Sequence, residues 1–415
     1  MSSAAAVTVA TVKHWLVHQA LLATPVPRLA AHFADKLLAL GLPLWRAHVG
    51  VNTVHPQFES IGLTWTRQGK RQIEEFEHGS MAKVVNSSPF YEPITAAQML
   101  ARSAPADSEE TVIPMTRYRL ERGEGWQSSH LLSEFHAAGG TDYVCFVIVF
   151  GNDGRLGAFM SGVAVSFTGD RPGGFTDEEI AILTDLMPTF GAALRVGADL
   201  SKTRTLLETY LGRDVGRRVL SGDVRRGSVE AMSAAIVVGD LRGFTTLADE
   251  VPRDQLVSML DDYLDCLVTP VEASNGHVLK FLGDGLLATF AFDDRDPQAV
   301  CGDALGAATA ALQRIDALNV QRRRDGKPVM MLDLALHMGE VLYGNVGSDR
   351  RLDFTIVGPA VNEAARLEAL CTTLDVPLVA SRRFVDALKA PEKFRSLGPR
   401  VLRGVRTPVE VFTTV

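Results

Sequence analysis

The sequence predicts an α+β protein made of two domains and a helical connector. Three observations predict it. At 415 residues the chain is longer than one ordinary domain. Its first two hundred residues set wholly apolar or alternating strand-like runs, such as YVCFVIVF at 143–150, between helix-period stretches. From residue 234 onward, strand-like and helical runs follow in the order β-α-β-β-α-β. The resulting divisions are an amino-terminal domain at 1–195, a helical connector at 196–230 and a carboxy-terminal domain at 231–415.

Composition narrows the class. A hydrophobic content of 46% with 22% charged residues describes an ordinary globular chain with ample core. The net charge of −7 and the lack of a long basic run argue against a nucleic-acid surface. Cys145, Cys266, Cys301 and Cys371 are far apart, without metal-ligand spacing, and read as reduced thiols. No stretch nears ~20 uninterrupted apolar residues, so no membrane span is expected. The start, MSSAAAVTVATVKHW, lacks a basic segment followed by a firm apolar one, so no signal peptide is read and a cytoplasmic location is expected.

Residues 12–40 carry two helical apolar patterns separated at Pro25 and Pro27. Residues 44–53 and 60–67 alternate as strands do. The buried run at 143–150 is followed by the turn signal Asn152-Asp153-Gly154, with a hairpin partner at 157–167. Residues 175–194 open with Thr176 and Glu179 at capping-box spacing and continue as an amphipathic helix. Trp45, Trp65, Trp126, His48, His55 and His130 are candidate lining residues for a cup between sheet and loops, though aromatics in a sheet are more often core. In the connector, Leu207, Leu211, Val215 and Val219 form a narrow i,i+4 stripe that Gly212 and Gly216 weaken. Packing on its own domain and pairing with a second copy are equally open readings. Arg213, Arg217, Arg218, Arg225 and Arg226 read as a solvated face.

In the carboxy-terminal domain the predicted elements are strand 234–239, helix 254–273, hairpin 277–290, helix 297–317, strands 329–338, 341–346 and 354–357, and helix 361–371. Three segments carry chemistry. The apolar run AAIVVGD ends on Asp240 just before a helical stretch opens at Gly243. In GHVLKFLGDGLLATF, the turn Gly283-Asp284-Gly285 holds a carboxylate at a hairpin tip, where its oxygens suit a hard divalent cation. Two such aspartates at neighbouring strand ends are the minimal protein share of a two-metal phosphoryl-transfer site. In DFTIVGPAVNEAARLE, Asn362 and Arg366 lie i,i+4 and leave one helical face together, an amide beside a guanidinium.

The stretches GDLRGFT, KFLGDG, LHMGEVLYGNVG and DFTIVGPAVNEAARLE, in this order and spacing, resemble the class III adenylate and guanylate cyclase catalytic domain. The resemblance runs from about residue 234 to the end. It implies a ferredoxin-like (split βαβ) core. The amino-terminal pattern, hairpin strands followed by an FTDEE-opened helix, looks like a GAF-type sensor domain. A diguanylate cyclase would carry a GGDEF-type turn instead of Gly283-Asp284-Gly285, and a polymerase would need a basic template channel.

By resemblance, Asp240 and Asp284 are the metal-binding aspartates, and the Leu241 carbonyl is a backbone ligand in the first metal loop. Lys280 and Thr355 match the purine-reading pair, Asn362 the ribose-orienting asparagine and Arg366 the transition-state arginine. Arg403, in VLRGV, falls on a short strand where the family has a basic residue for the outer phosphates. Lysine donating to adenine N1 and threonine accepting from N6 favour ATP over GTP. The resemblance therefore implies an adenylate cyclase using two Mg²⁺ or Mn²⁺ ions, acting as a homodimer with shared sites. An unknown small molecule or protein would act on the amino-terminal domain. The alternatives are a guanylate cyclase or a catalytically silent nucleotide-binding module.

Overall fold

Hydrophobic patterning sorts the chain into two mixed α/β units, each with its own sheet and core. The computed structural model describes residues 7–103, 113–127, 129–150, 162–405 and 407–415. The units are Met1–Leu206 and Leu207–Val415.

The first unit opens with helices α1 (Val9–Leu21) and α2 (Val26–Ala39), separated at Pro25 as the sequence predicts. Strands β1 (Leu44–Asn52), β2 (Phe58–Thr66) and β3 (Arg71–Glu77) follow, then helices α3 (Met81–Asn86) and α4 (Tyr91–Ser103). The unit continues through β4 (Met115–Tyr118), α5 (His130–Ala137), β5 (Asp142–Val149), β6 (Gly162–Gly169) and α6 (Asp177–Leu211), whose residues from Leu207 on belong to the second unit. The strands form one sheet in the order β3-β2-β1-β6-β5-β4, every neighbouring pair antiparallel. Leu16, Phe33, Leu186 and Phe190 of the long helices pack on one face against Val49, Leu63, Trp65 and Phe167. Leu120, Leu132, Phe135, Tyr143 and Cys145 cluster on the other. Strand β3 escapes sequence reading because nearly all of its side chains face solvent, leaving no apolar alternation. The Asn152-Asp153-Gly154 turn and residues 157–161 of its partner lie outside the described residues.

The capping box at the start of α6 forms as read. The Thr176 N–H donates to Glu179 at 2.7 Å and the Glu179 N–H donates to the Thr176 hydroxyl at 3.2 Å. The helix does not stop at residue 194 but runs to Leu211, where Gly212 (φ +80°) ends it. By length and composition α6 would suffice to cross a membrane. Here Leu183, Leu186, Met187, Phe190 and Leu194 on it are buried in the first core.

In the second unit, α7 (Arg213–Leu220) precedes β7 (Val229–Arg242), α8 (Phe244–Glu250) and α9 (Arg253–Ala273). The hairpin β8 (His277–Leu282) and β9 (Gly285–Ala291) comes next, then α10 (Pro297–Arg324), β10 (Met331–Gly347), β11 (Leu352–Val357) and α11 (Pro359–Glu368). The unit closes with α12 (Leu370–Leu374), β12 (Leu378–Ser381), α13 (Arg382–Leu388), β13 (Phe394–Arg400) and β14 (Val409–Thr414). The sheet order is β13-β14-β12-β10-β7-β9-β8, with β11 paired to β10. Tyr263, Leu267, Ala304 and Ala308 of α9 and α10 cover one face. Ala360, Ala364 and Leu367 of α11 cover the other, with Val215 of α7 beside them.

Several expectations need correction. The stripe Leu207, Leu211, Val215, Val219 is not one helical seam, because Gly212 separates α6 from α7; Val215 is buried in its own unit. The strands read at 329–338 and 341–346 are a single strand, since Gly339 and Glu340 stay in the ladder opposite Ala234 and Ser233. The helix read at 361–371 divides at Ala369. Strand β7 continues past Asp240 to Arg242, so Leu241 lies in a strand rather than a loop.

Candidate active site

The centre of the site is the contact between the β8–β9 hairpin tip and the end of β7. Leu282 pairs with Gly285, so Gly283-Asp284 is a two-residue turn, and Gly283 takes the positive φ (+72°) that it requires. Gly285 has a different reason to be glycine. A Cβ there would stand 2.3 Å from the Gly239 carbonyl oxygen and 2.8 Å from Asp240 Oδ1. The absent side chain lets the hairpin tip close on β7 and brings Asp284 beside Asp240.

This juxtaposition is electrostatically uncompensated. Burial, then Asp284, then Asp333 push the Asp240 carboxyl above its ordinary pKa. Glu368, the last residue of α11, is pushed up to about 7 by burial, then by Asp240, Asp333 and Asp284. Asp333, opposite Asp240 on β10, is by contrast neutralised: Arg242 donates to it at 2.5 Å and the Thr372 hydroxyl at 2.8 Å. Asp240, Asp284 and Glu368 have no ion-pair partner among the described residues. Hard, anionic oxygen donors without a counter-charge fit Mg²⁺ or Mn²⁺. Among the described residues no three His, Cys, Asp or Glu side chains form a ready-made metal cage. The fit is therefore to an open site, completed by backbone and substrate oxygens.

The two predicted purine readers come together on a separate patch. Lys280 Nζ donates to Asp353 at 2.9 Å. Asp353 and Thr355 are i,i+2 on β11 and share a face, so the ammonium is held on Thr355's side of the strand. Thr355 is only 6% exposed, and its hydroxyl has no hydrogen-bond partner. A buried hydroxyl left unpaired calls for a ligand or a water.

Asn362 is exposed on the first turns of α11, and Arg366 is half-buried one turn on. A Cβ on Gly404 would lie 3.6 Å from an Arg366 guanidinium nitrogen, so the Arg403–Gly404 turn passes beside Arg366. Arg403 occupies this turn, not the strand the sequence reading placed it on, and it is exposed.

The acids and Thr355 stand at opposite ends of β10, whereas Lys280 lies in the same hairpin as Asp284, four residues before it. Asp240 pairs across to Asp333 and Thr355 pairs across to Gly344, eleven residues further along β10. At ~3.3 Å per residue this is ~36 Å of strand contour. On α11, Glu368 is coupled to the acids, and Arg366 lies two residues, ~200° of helix, away from it.

Residues 228–413 match the family described as Adenylate and Guanylate cyclase catalytic domain. The carboxy-terminal unit carries a domain of this cyclase family. An adenylate cyclase from Anabaena cylindrica is 28% identical over 225 residues, 52% of this chain and 44% of that protein. Adenylate cyclase 1 of Rhizobium meliloti is 31% identical over 179 residues, 42% of this chain and 26% of the relative. The chain thus spans less than half the length of these curated relatives. The crystal structure of the adenylyl cyclase CyaB from P. aeruginosa aligns with a TM-score of 0.42 at 25% identity, covering 45% of this chain and 96% of that one.

Within the cyclase unit, sequence reading missed Asp353, Glu368 and the Arg242–Asp333 pair. Asp353 and Glu368 are the first and last residues of DFTIVGPAVNEAARLE, and their i,i+2 offsets from Thr355 and Arg366 are the available signal. The Arg242–Asp333 pair joins residues 91 apart and had none. A cavity of ≈ 490 Å³, lined by Gly212, Arg217, Glu272, His277 and Val278 among others, lies at the His277 end of β8, away from Asp284. It contains none of the predicted site residues.

Proposed function

We propose that the chain is an adenylate cyclase, converting ATP to 3′,5′-cyclic AMP and pyrophosphate at sites shared between two copies. The observation that carries this reading is the uncompensated acid pair, Asp240 and Asp284, pressed together by the missing side chain of Gly285. Asp240, Asp284 and the Leu241 carbonyl would hold two divalent ions. Such ions, when bound, lower the proton affinity of the ribose 3′-hydroxyl and neutralise the triphosphate. Lys280, steadied by Asp353, donates to adenine N1, and the unpartnered Thr355 hydroxyl accepts from N6. Asn362 orients the ribose. Arg366 stabilises charge spreading over the α-phosphoryl group as pyrophosphate leaves, and Arg403 meets the outer phosphates.

The separation along β10 of the acids from Thr355, towards which Asp353 draws Lys280, supports a homodimer in which each site takes its acids and its purine readers from different copies. We read the order β10-β7-β9-β8 as the split-βαβ, ferredoxin-like core, and the first unit as a GAF-like input domain. Four buried, unbridged cysteines support a reducing, cytoplasmic setting.

The test is complementation, with Mg²⁺ or Mn²⁺ and ATP. Asp240→Ala and Arg366→Ala should each lower cyclic AMP formation by at least ~10²-fold. Mixing them after subunit exchange should restore about a quarter of wild-type activity, because half the dimers are mixed and each mixed dimer has one intact site. No recovery from folded, exchanging variants would overturn the shared site. Pyrophosphate release without cyclic AMP would overturn the reaction.

A further inference from the structure

We propose that the first unit binds a small oxyanion, a carboxylate or a phosphate, on the sheet face carrying Arg46, His48, Thr64, Ser166 and Thr168. The register places two polar rows side by side. Thr66, Arg46, Thr168 and Tyr143 lie across from one another, and Thr64, His48, Ser166 and Cys145 form the next row on the same face.

Three features single out this patch. First, Arg46 donates to the Thr64 hydroxyl at 3.0 Å and stacks over Phe135 at 4.8 Å, yet among the described residues no carboxylate pairs with it. Burial depresses its pKa, outweighing the opposite pull of Tyr143 and then Glu74, the mark of a cation only partly compensated. Arg117 on the same sheet is instead neutralised by Asp142 at 2.6 Å. Second, Ser166 and Thr168, 1% and 0% exposed, have hydroxyls without a hydrogen-bond partner. The Ser166 hydroxyl lies near the Tyr143 phenol but makes no well-formed hydrogen bond to it. Third, His48 cannot supply a second cation. Burial, then Arg46, hold its pKa down to about 3, so it stands neutral against Arg46 and accepts or donates as its Thr64 contact requires.

Water could satisfy the two hydroxyls but not the charge. An anion answers both needs, neutralising the guanidinium and accepting from the hydroxyls. Phe90 and Phe135 stand over this face, 6.1 Å from the His48 ring and 6.3 Å from the Trp45 ring respectively, so the occupant is small. Such a site would supply the input reading of this unit with its ligand class.

All four tryptophans, Trp15, Trp45, Trp65 and Trp126, precede residue 207, and Trp45 adjoins Arg46. Tryptophan emission of the full chain therefore reports on this unit alone, and failure here leaves the cyclase reading standing. Sodium phosphate and sodium acetate are titrated to ~50 mM against sodium chloride of equal ionic strength. A saturable change with at least one of the two, absent with chloride, is expected; phosphate alone or acetate alone identifies the ligand's head group. Arg46→Met should weaken that binding by at least about tenfold. It should also leave the anion-free melting temperature unchanged or higher, since an unpaired buried cation is removed. Should that variant not fold, Ser166→Ala carries the test through a smaller loss of affinity. No saturable change with either anion, or a folded Arg46→Met or Ser166→Ala that titrates like wild type, overturns the site.

Discussion

The two units each leave charge uncompensated, with opposite signs and in different places. In the cyclase unit, Asp240, Asp284 and Glu368 crowd together where a strand end meets a hairpin tip. In the first unit a single guanidinium, Arg46, lies near the start of β1 among hydroxyls and aromatic rings. Both units also neutralise buried charges within themselves, Asp333 with Arg242 and Asp142 with Arg117. The difference teaches where to look for ligands. Folding tolerates a buried charge when a partner is built in, and an unpaired one marks a place where the partner arrives from outside.

The largest effect that would sharpen this contrast is at the hairpin tip. Gly285→Ala puts a Cβ 2.3 Å from the Gly239 carbonyl oxygen, so the tip must move away from Asp240. A displacement near 1 Å costs ~10²-fold in catalysis, and overpacking costs ~1–3 kcal/mol of stability. Gly283→Ala meets no atom within 4 Å and bears only the strain of φ +72°. It should lose ~1 kcal/mol in urea melts and keep most of its activity. Equal losses from the two substitutions would show that acid–acid contact is not what the tip provides.

Next in size is substrate preference. Replacing Lys280 by Glu and Thr355 by Cys reverses the hydrogen-bond polarity offered to the purine edge. The ratio of kcat/KM for ATP over GTP should fall by at least ~10-fold. Asp353 would then face a like charge where it now accepts from Lys280 at 2.9 Å, so adding Asp353→Asn should improve the doubly substituted enzyme. An unchanged ratio would remove the basis for naming ATP.

How far the residues could be read before the fold follows from the same physics. Turn and motif residues near one another in sequence, such as Gly283, Asp284, Asn362 and Arg366, declare themselves because local conformation fixes their offsets. Strand β5 was plain from its continuous apolar run, and the α6 start from its capping box. Features that depend on register were hidden. Arg46 opposite Thr168 and Asp240 opposite Asp333 join positions 122 and 93 residues apart by strand pairing alone. The cup residues were scattered for this reason: Trp65 faces the helix-covered core, His130 is exposed beside Glu134, and His55 stacks on Phe58. Only Trp45 and His48 share the face of Arg46's cluster.

The smallest predicted effect sets the two units against each other through pH. Glu368 has a folded pKa of about 7, above its ordinary 4.5, because neighbouring acids and burial favour its protonated form. Between these values the unfolded chain has released a proton that the folded chain keeps, so the contribution to stability is full below ~4.5 and is lost as pH rises through 7. Glu368→Gln should therefore match wild type near pH 4 and exceed it at pH 8 by on the order of 1 kcal/mol, once solvent screening of this half-buried group is allowed for. Mg²⁺ should shrink the difference, because a cation at Asp240 and Asp284 favours ionised Glu368. His48 slopes the other way. Its pKa falls from 6.5 to about 3 on folding, so its contribution is present above 6.5 and is lost as pH falls. His337 in the cyclase unit is likewise held down, to about 4, so the comparison must be variant against wild type rather than unit against unit. Parallel stability curves for wild type and Glu368→Gln across pH 4–8 would mean that Glu368 does not feel the acid pair, and the crowding of negative charge at that end of the sheet would have to be given up.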